Sequence, residues 1–225
     1  MEKIFDISGW LENDMWSYSV LPGLENIIPS VEISTIATVK KDGFFASKII
    51  MSTLSGTYLE AGSHISENNK NLDEYTVEDF IKPVKIIRLP KQRAKALIDA
   101  KLLENNAPII KKGDALIIDT GWGAMWNKLG YVLDCPNMAR SALEWVLEKN
   151  ISIFGVDIPC IEGAWAEEKD QEKGSLLTAL FEKKVLLLAP LINLDKLVKN
   201  EGKLICLPIN IKGTSGAPVR AIIMQ

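Results

Sequence analysis

Apolar positions along this chain fall in short runs broken by Gly, Pro, Asn and charged residues, and each run carries β-branched or aromatic side chains. That pattern predicts strands over residues 4–7, 31–39, 44–51, 84–89, 115–119, 152–156, 185–188, 203–207 and 219–223. Helical spacing is clearest after Pro136, where Ala139, Ala142, Leu143, Val146 and Leu147 share one face, with Asn137 as a candidate cap and Asn150 as the stop. A second helix is predicted after Pro90 through Ala94, Leu97, Ile98 and Leu102, and a third after Ser175 through Leu176, Leu177 and Leu180. Strands and helices mix along the whole length. No repeat of 20–50 residues and no Pro/Ser-rich linker divides the chain, so residues 1–225 read as a single α/β domain with about nine strands and three or four helices.

Composition narrows the function classes. A chain of 225 residues, 47% hydrophobic, can bury a substantial core. Its net charge of -3 and pI near 5.4 offer no basic surface for nucleic acid or anionic lipid. The start lacks the basic and apolar regions of a signal peptide, and the longest apolar run, 185–192, contains Pro190 and is too short for a membrane span. A cytoplasmic protein is the expectation. Cys135, Cys160 and Cys206 show no close pairing, which argues against a disulfide scaffold or a zinc ribbon and leaves small buried thiols as the plain reading. His64 is the one histidine, so no site built from several imidazoles exists in this chain.

The segment Leu54-Ser-Gly56-Thr57-Tyr58-Leu-Glu60-Ala-Gly62-Ser-His64 follows an apolar strand. It resembles the His-x-Gly-Thr-His-x-Asp-x-Pro-x-His motif of the cyclase family that includes bacterial kynurenine formamidase. Gly56, Thr57 and His64 match; Leu54 and Tyr58 stand where the family has His, Glu60 where it has Asp, and Gly62 where it has Pro. Further pieces follow in the family's order. Asp6-Ile-Ser8 is similar to the family's Asp-Leu-Ser start, and residues 72–89 fit the segment after the ligand motif. Gly113-Asp114 through Thr120-Gly121-Trp122 resembles Gly-Asp-x-Leu-x-x-x-Thr-Gly-Trp. Gly155-Val156-Asp157-Ile-Pro159-Cys160-Ile-Glu162 is similar to Gly-x-Asp-x-Pro-Ser-x-Asp, Asn193-Leu194 to the family's Asn-Leu, and Gly216-Ala217-Pro218-Val219-Arg220-Ala221 to its Gly-Ser-Pro-x-Arg-Ala ending.

The resemblance implies an α/β domain of the swivelling β/β/α type, with a mixed sheet or barrel-like β core flanked by helices, assembled as a homodimer or homotetramer. It implies hydrolysis of small-molecule amides by water activated on one or two divalent metals. A later His and Glu complete the family's ligand set; counted back from Asn193 they fall near Leu177 and Ala189, which cannot bind a cation. Of the six ligand positions only Glu60 and His64 keep suitable atoms, so no metal ligands are assigned and zinc or manganese is expected weakly at most. A carboxylate left in such an apolar place has a raised pKa, and Tyr58 is positioned by sequence to donate to it. Tyr58, Glu60 and His64 are therefore the candidate catalytic cluster, with Glu60 or His64 moving a proton and Tyr58 orienting. Thr57, Trp122 and Trp126 are the candidate substrate contacts.

Three readings stay open at this point. One is a metal-free or weakly metal-dependent hydrolase or lyase using that cluster. Another is a non-catalytic descendant that binds a small acyl or aromatic ligand, or a protein, in the old cleft; tryptophans at 10, 16, 122, 126, 145 and 165 supply stacking surfaces. The third is a rebuilt metal site drawing on Asp134, Cys135, Cys160, Glu162 and Glu60 with His64. Gly121-Trp122-Gly123 lacks the ending of a phosphate loop. The charged stretch 167–173 reads as a surface loop.

Overall fold

The computed structural model describes residues 2–163 and 175–225, so Trp165 and the charged stretch 167–173 lie outside the described residues. Its strands are β1 (Ile4–Asp6), β2 (Glu32–Ala37), β3 (Ala46–Ile50), β4 (Tyr58–Glu60), β5 (Ile81–Arg88), β6 (Leu97–Ile98), β7 (Ala115–Asp119), β8 (Asn137–Met138), β9 (Ile153–Val156), β10 (Leu186–Ala189), β11 (Glu201–Ile205), β12 (Gly216–Pro218) and β13 (Ile222–Met224). The helices are α1 (Val39–Asp42), α2 (Ala100–Glu104), α3 (Arg140–Glu148) and α4 (Ser175–Glu182), joined by several single 3-10 turns.

Nine strands form one mixed sheet in the order β1-β13-β11-β5-β7-β9-β10-β4-β12. Its centre, β5 through β10, is parallel, and both flanks are antiparallel. The parallel strands are apolar at nearly every position because both faces are covered. Ile87, Leu116, Ile118, Phe154 and Leu187 join a core with residues of α3 and α4, while Ile86, Ile117, Ile153 and Leu188 join a second core on the other face. The expected α/β class and mixed sheet are what the fold contains. Among the described residues no helix is long and apolar enough to cross a membrane.

Several local expectations are corrected. The helix predicted after Pro90 is absent from 90–99. Lys95 sits at φ +56, and Leu97 and Ile98 pair in parallel with Asn137 and Met138; only then does α2 begin, capped by the Asp99 carboxylate on the Leu102 amide. Asn137 caps nothing: it lies in β8, its side chain bonds the Met138 carbonyl and the Gly163 amide, and Ala139 holds the cap position of α3. Asn150 does end α3, in the left-handed region at φ +53. The strand predicted to 39 stops at Ala37, where α1 takes over as the tip of the β2–β3 hairpin. The stretch 219–223 is no single strand, since β12 ends at Pro218 and β13 starts at Ile222. β4 and β12, too short to show a period, were not anticipated.

Candidate active site

β4 is the strand on which the candidate site is built. It lies between β10 and β12, with Ala189 and Pro218 opposite Tyr58, and Leu187 and Gly216 opposite Glu60. Side chains alternate along a strand, so Tyr58 and Glu60 share one face while Leu59 enters the opposite core. Leu54 covers Gly216 beside Glu60: a Cβ on this glycine would come within 2.5 Å of the Leu54 Cδ2, so the leucine would have to shift. After β4 the chain makes a 3-10 turn, Gly62–His64, against which α4 packs. The fold thus gathers Leu54, Tyr58, Glu60 and Ala189, and packs the helix carrying Leu177 against the turn that carries His64.

Glu60 is 3% exposed and its Oε1 lies 3.2 Å from His64 Nε2, at the long end of hydrogen-bonding range. Burial pushes its carboxyl up to about 8, and burial also holds the half-exposed His64 below its ordinary value. Both shifts favour the uncharged pair, a protonated carboxyl beside a neutral imidazole. Tyr58 does not complete this pair as expected. Its hydroxyl lies 2.8 Å from that of Tyr18, which is 2.5 Å from the Pro159 carbonyl. A carbonyl only accepts, so Tyr18 donates to Pro159 and Tyr58 must donate to Tyr18. The reason is the partner at hand: Tyr18, itself anchored on the Pro159 carbonyl, accepts the Tyr58 proton in place of Glu60. Burial raises both phenols well above their usual range, and the nearby Glu60 and Cys160 add to the rise at Tyr58.

The three expected substrate contacts divide. Thr57 is buried, donates to the Pro190 carbonyl at 2.6 Å and accepts from the Gly9 amide at 3.0 Å, so its hydroxyl holds the frame. It also lines a separate cleft of about 550 Å³ with Trp10, Asp6 and Arg220. Trp126 packs directly on Gly9, leaving no room there for a Cβ, and Gly9 is the residue whose amide donates to Thr57. Trp122 is sealed inside, its indole donating to the Tyr131 carbonyl. The turn that carries it hangs from Asp157, which accepts from the Thr120 amide and hydroxyl and from the Gly123 amide. Burial still pushes the Asp157 carboxyl up to about 6 against those bonds. Sequence reasoning missed Tyr18 and Tyr131 as neighbours of the site, and named Trp16 only as one of six tryptophans offering stacking surfaces; no local signal marks Tyr18, 40 residues before Tyr58.

Neither the family's ligand positions nor the proposed substitutes assemble a metal-binding donor set. Leu54, Leu177 and Ala189 are apolar, and Tyr58 is bonded to Tyr18. Glu162 accepts the Leu176 and Leu177 amides at the start of α4, and Asp134 pairs with Lys95 at 3.3 Å. Among the described residues no three His, Cys, Asp or Glu side chains converge to hold an ion. The residues present do not fit the metal the resemblance implies.

Comparisons with known proteins agree with this architecture. The chain is 25% identical over 218 residues to a kynurenine formamidase of Bacillus mycoides (strain KBAB4), covering 97% of this chain and 91% of that protein. It is 27% identical over 240 residues to an isatin hydrolase of Roseibium aggregatum, covering 98% and 90%. In fold it is similar to isatin hydrolase A from Ralstonia solanacearum, with a TM-score of 0.88, 19% identity, and coverage of 99% of this chain and 92% of that one. The family model described as putative cyclase matches residues 5–163, well over half the length, and with the fold and the ordered motifs it places this chain in the putative cyclase family.

Proposed function

We propose that this chain hydrolyses a small amide or lactam, a class consistent with relatives named kynurenine formamidase and isatin hydrolase, and does so without a divalent metal. The Glu60–His64 pair moves the proton. Attack forms the bond from water oxygen to the acyl carbon, the C–N bond breaks, and the water's proton passes through the pair to the leaving nitrogen. The supporting observation is a buried carboxyl in contact with the chain's one imidazole, at a place where the other ligand positions are apolar. Two protein ligands fall short of the three that functional zinc sites supply.

The test has two arms. Protein incubated with zinc and manganese and passed through gel filtration should retain well under one equivalent of metal by mass spectrometry; one or two equivalents would overturn the metal-free reading. Hydrolysis of an N-formyl arylamine should fall at least about a hundredfold in Glu60→Gln, the usual size of a general acid–base contribution. Undiminished turnover in that variant would sink the proton-transfer role. The apolar Leu54 laid beside Glu60 favours a second reading, a site that binds such compounds without turning them over; binding with no turnover in the wild type would select it. We also propose a homodimer, on the exposed apolar hairpin taken up below.

A further inference from the structure

Trp16, Trp126 and Tyr131 pack around one another. Ring centroids are 5.3 Å apart for Trp16 with Trp126, 5.3 Å for Trp16 with Tyr131 and 5.7 Å for Trp126 with Tyr131. Edge-to-face and tilted packing explains the rings but not their heteroatoms. The indole nitrogens of Trp16 and Trp126 and the phenol oxygen of Tyr131 are all buried with no hydrogen-bond partner. Buried indole and phenol groups ordinarily find one. Trp122, a few residues away, does so on the Tyr131 carbonyl. Three orphaned polar atoms in one cluster, two of them able only to donate, describe a wall that lacks an acceptor.

The surroundings limit what that acceptor is. Among the described residues, the ionisable groups that raise the Tyr131 phenol are Tyr18, Asp157 and Cys135, and none of the three is a cation. A carboxylate entering here would lie beside the buried Asp157, at high cost. A neutral carbonyl oxygen accepts the same bonds without that penalty. The cluster also continues into the candidate active site: Trp16 touches Tyr18 at 5.2 Å between ring centroids, and Tyr18 bonds Tyr58, which shares a strand face with Glu60.

We propose that Trp16, Trp126 and Tyr131 form the carbonyl-receiving wall of the site, binding the oxygen of a neutral planar amide or lactam through the two indole N–H groups and the phenol. The proposal rests on the reading of a small-amide site given above, and it assigns to fixed neutral donors the polarisation of the acyl oxygen that a metal would otherwise provide. Both tryptophans are partly exposed and neither lies in a strand, but their indole nitrogens are buried, so a ligand must open the ring packing to reach them.

The probe is benzamide, with benzoate as its anionic counterpart, followed through the indole N–H resonances of 15N-labelled protein. Benzamide should move the Trp16 and Trp126 signals downfield and leave the exposed Trp10 signal in place, with benzoate at least about tenfold weaker. Trp16→Phe and Trp126→Phe, which keep an aromatic ring and remove the N–H, should each weaken benzamide about tenfold, the size of one hydrogen bond. Unmoved indole signals at saturating benzamide, or Phe variants that bind as the wild type does, would overturn the wall and leave dry packing. The wild-type titration needs no variant to fold. Binding is read without turnover, so Glu60→Gln that still binds benzamide but has unchanged hydrolysis defeats the proton-transfer reading alone.

Discussion

Glu60 carries an ionisable group at a place that disfavours its ionisation, and that has a consequence for stability. Its carboxyl is raised from an ordinary 4.5 to about 8 by burial. The folded state therefore holds a proton that the unfolded chain releases, so Glu60's contribution is full below about 4.5 and is lost as pH rises through 8. At about 1.4 kcal/mol per unit, the loss is on the order of 5 kcal/mol. Thermal unfolding from pH 4.5 to 8.5 should show a falling melting temperature in the wild type and a flatter profile in Glu60→Gln; parallel profiles would mean the carboxyl is not sealed in. Asp157, raised to about 6, adds a smaller loss in the same direction between its ordinary 3.8 and 6. A second expectation concerns the ligand positions. Leu54 sits beside Glu60, so Leu54→His combined with Tyr58→His returns two imidazoles to the neighbourhood of Glu60 and His64. That double variant should retain about one equivalent of zinc through gel filtration where the wild type retains little.

At the level of elements, β4 concentrates the risk. It is three residues long, yet it bridges β10 and β12 and places side chains in both cores. Leu59 is fully buried, and Leu59→Ala should cost about 2–5 kcal/mol in urea unfolding. A cost below 1 kcal/mol would mean that β12 is held some other way. The sequence made the long parallel strands legible because 115–119 and 152–156 are apolar runs covered on both faces. It concealed β4, whose Tyr-Leu-Glu is too short to show a period and whose strand character comes from its neighbours. It misread 90–99 as helix because the spacing of Ala94, Leu97 and Ile98 with Leu102, which alone of the four lies in a helix, meets a helical template by coincidence. In the site, Glu60 and His64 were legible as a pair only through their match to the family's ligand motif, since one lies on a strand and the other in a 3-10 turn. The Tyr58 partner was not, because Tyr18 and Pro159 reach it only through the fold.

Over the whole molecule, the β2–β3 hairpin stands apart from the main sheet, pinned at its root by Asn13 bonding both the amide and the carbonyl of Ile33. Ile36, Val39, Phe44, Phe45 and Ile49 are each more than half exposed along it. A two-stranded ribbon is marginal in water by itself. These side chains offer apolar surface on the order of 500 Å², against about 800 Å² per partner in a standard interface. The homodimer proposed above would place the same patch on both sides of a two-fold axis and draw further surface from around it. Sedimentation should give a dimer for the wild type and a monomer for Phe44→Lys combined with Phe45→Lys; a wild-type monomer at micromolar concentration would refute the assembly.

The bond from Tyr58 to Tyr18 also decides what a histidine at position 58 would meet. Tyr18 would keep the Pro159 carbonyl but lose the hydroxyl that donates to it. The new imidazole would stand as a third potential donor beside Glu60 and His64, the number a zinc site needs at the least. One substitution would thus exchange a phenol–phenol bond for a minimal ligand set.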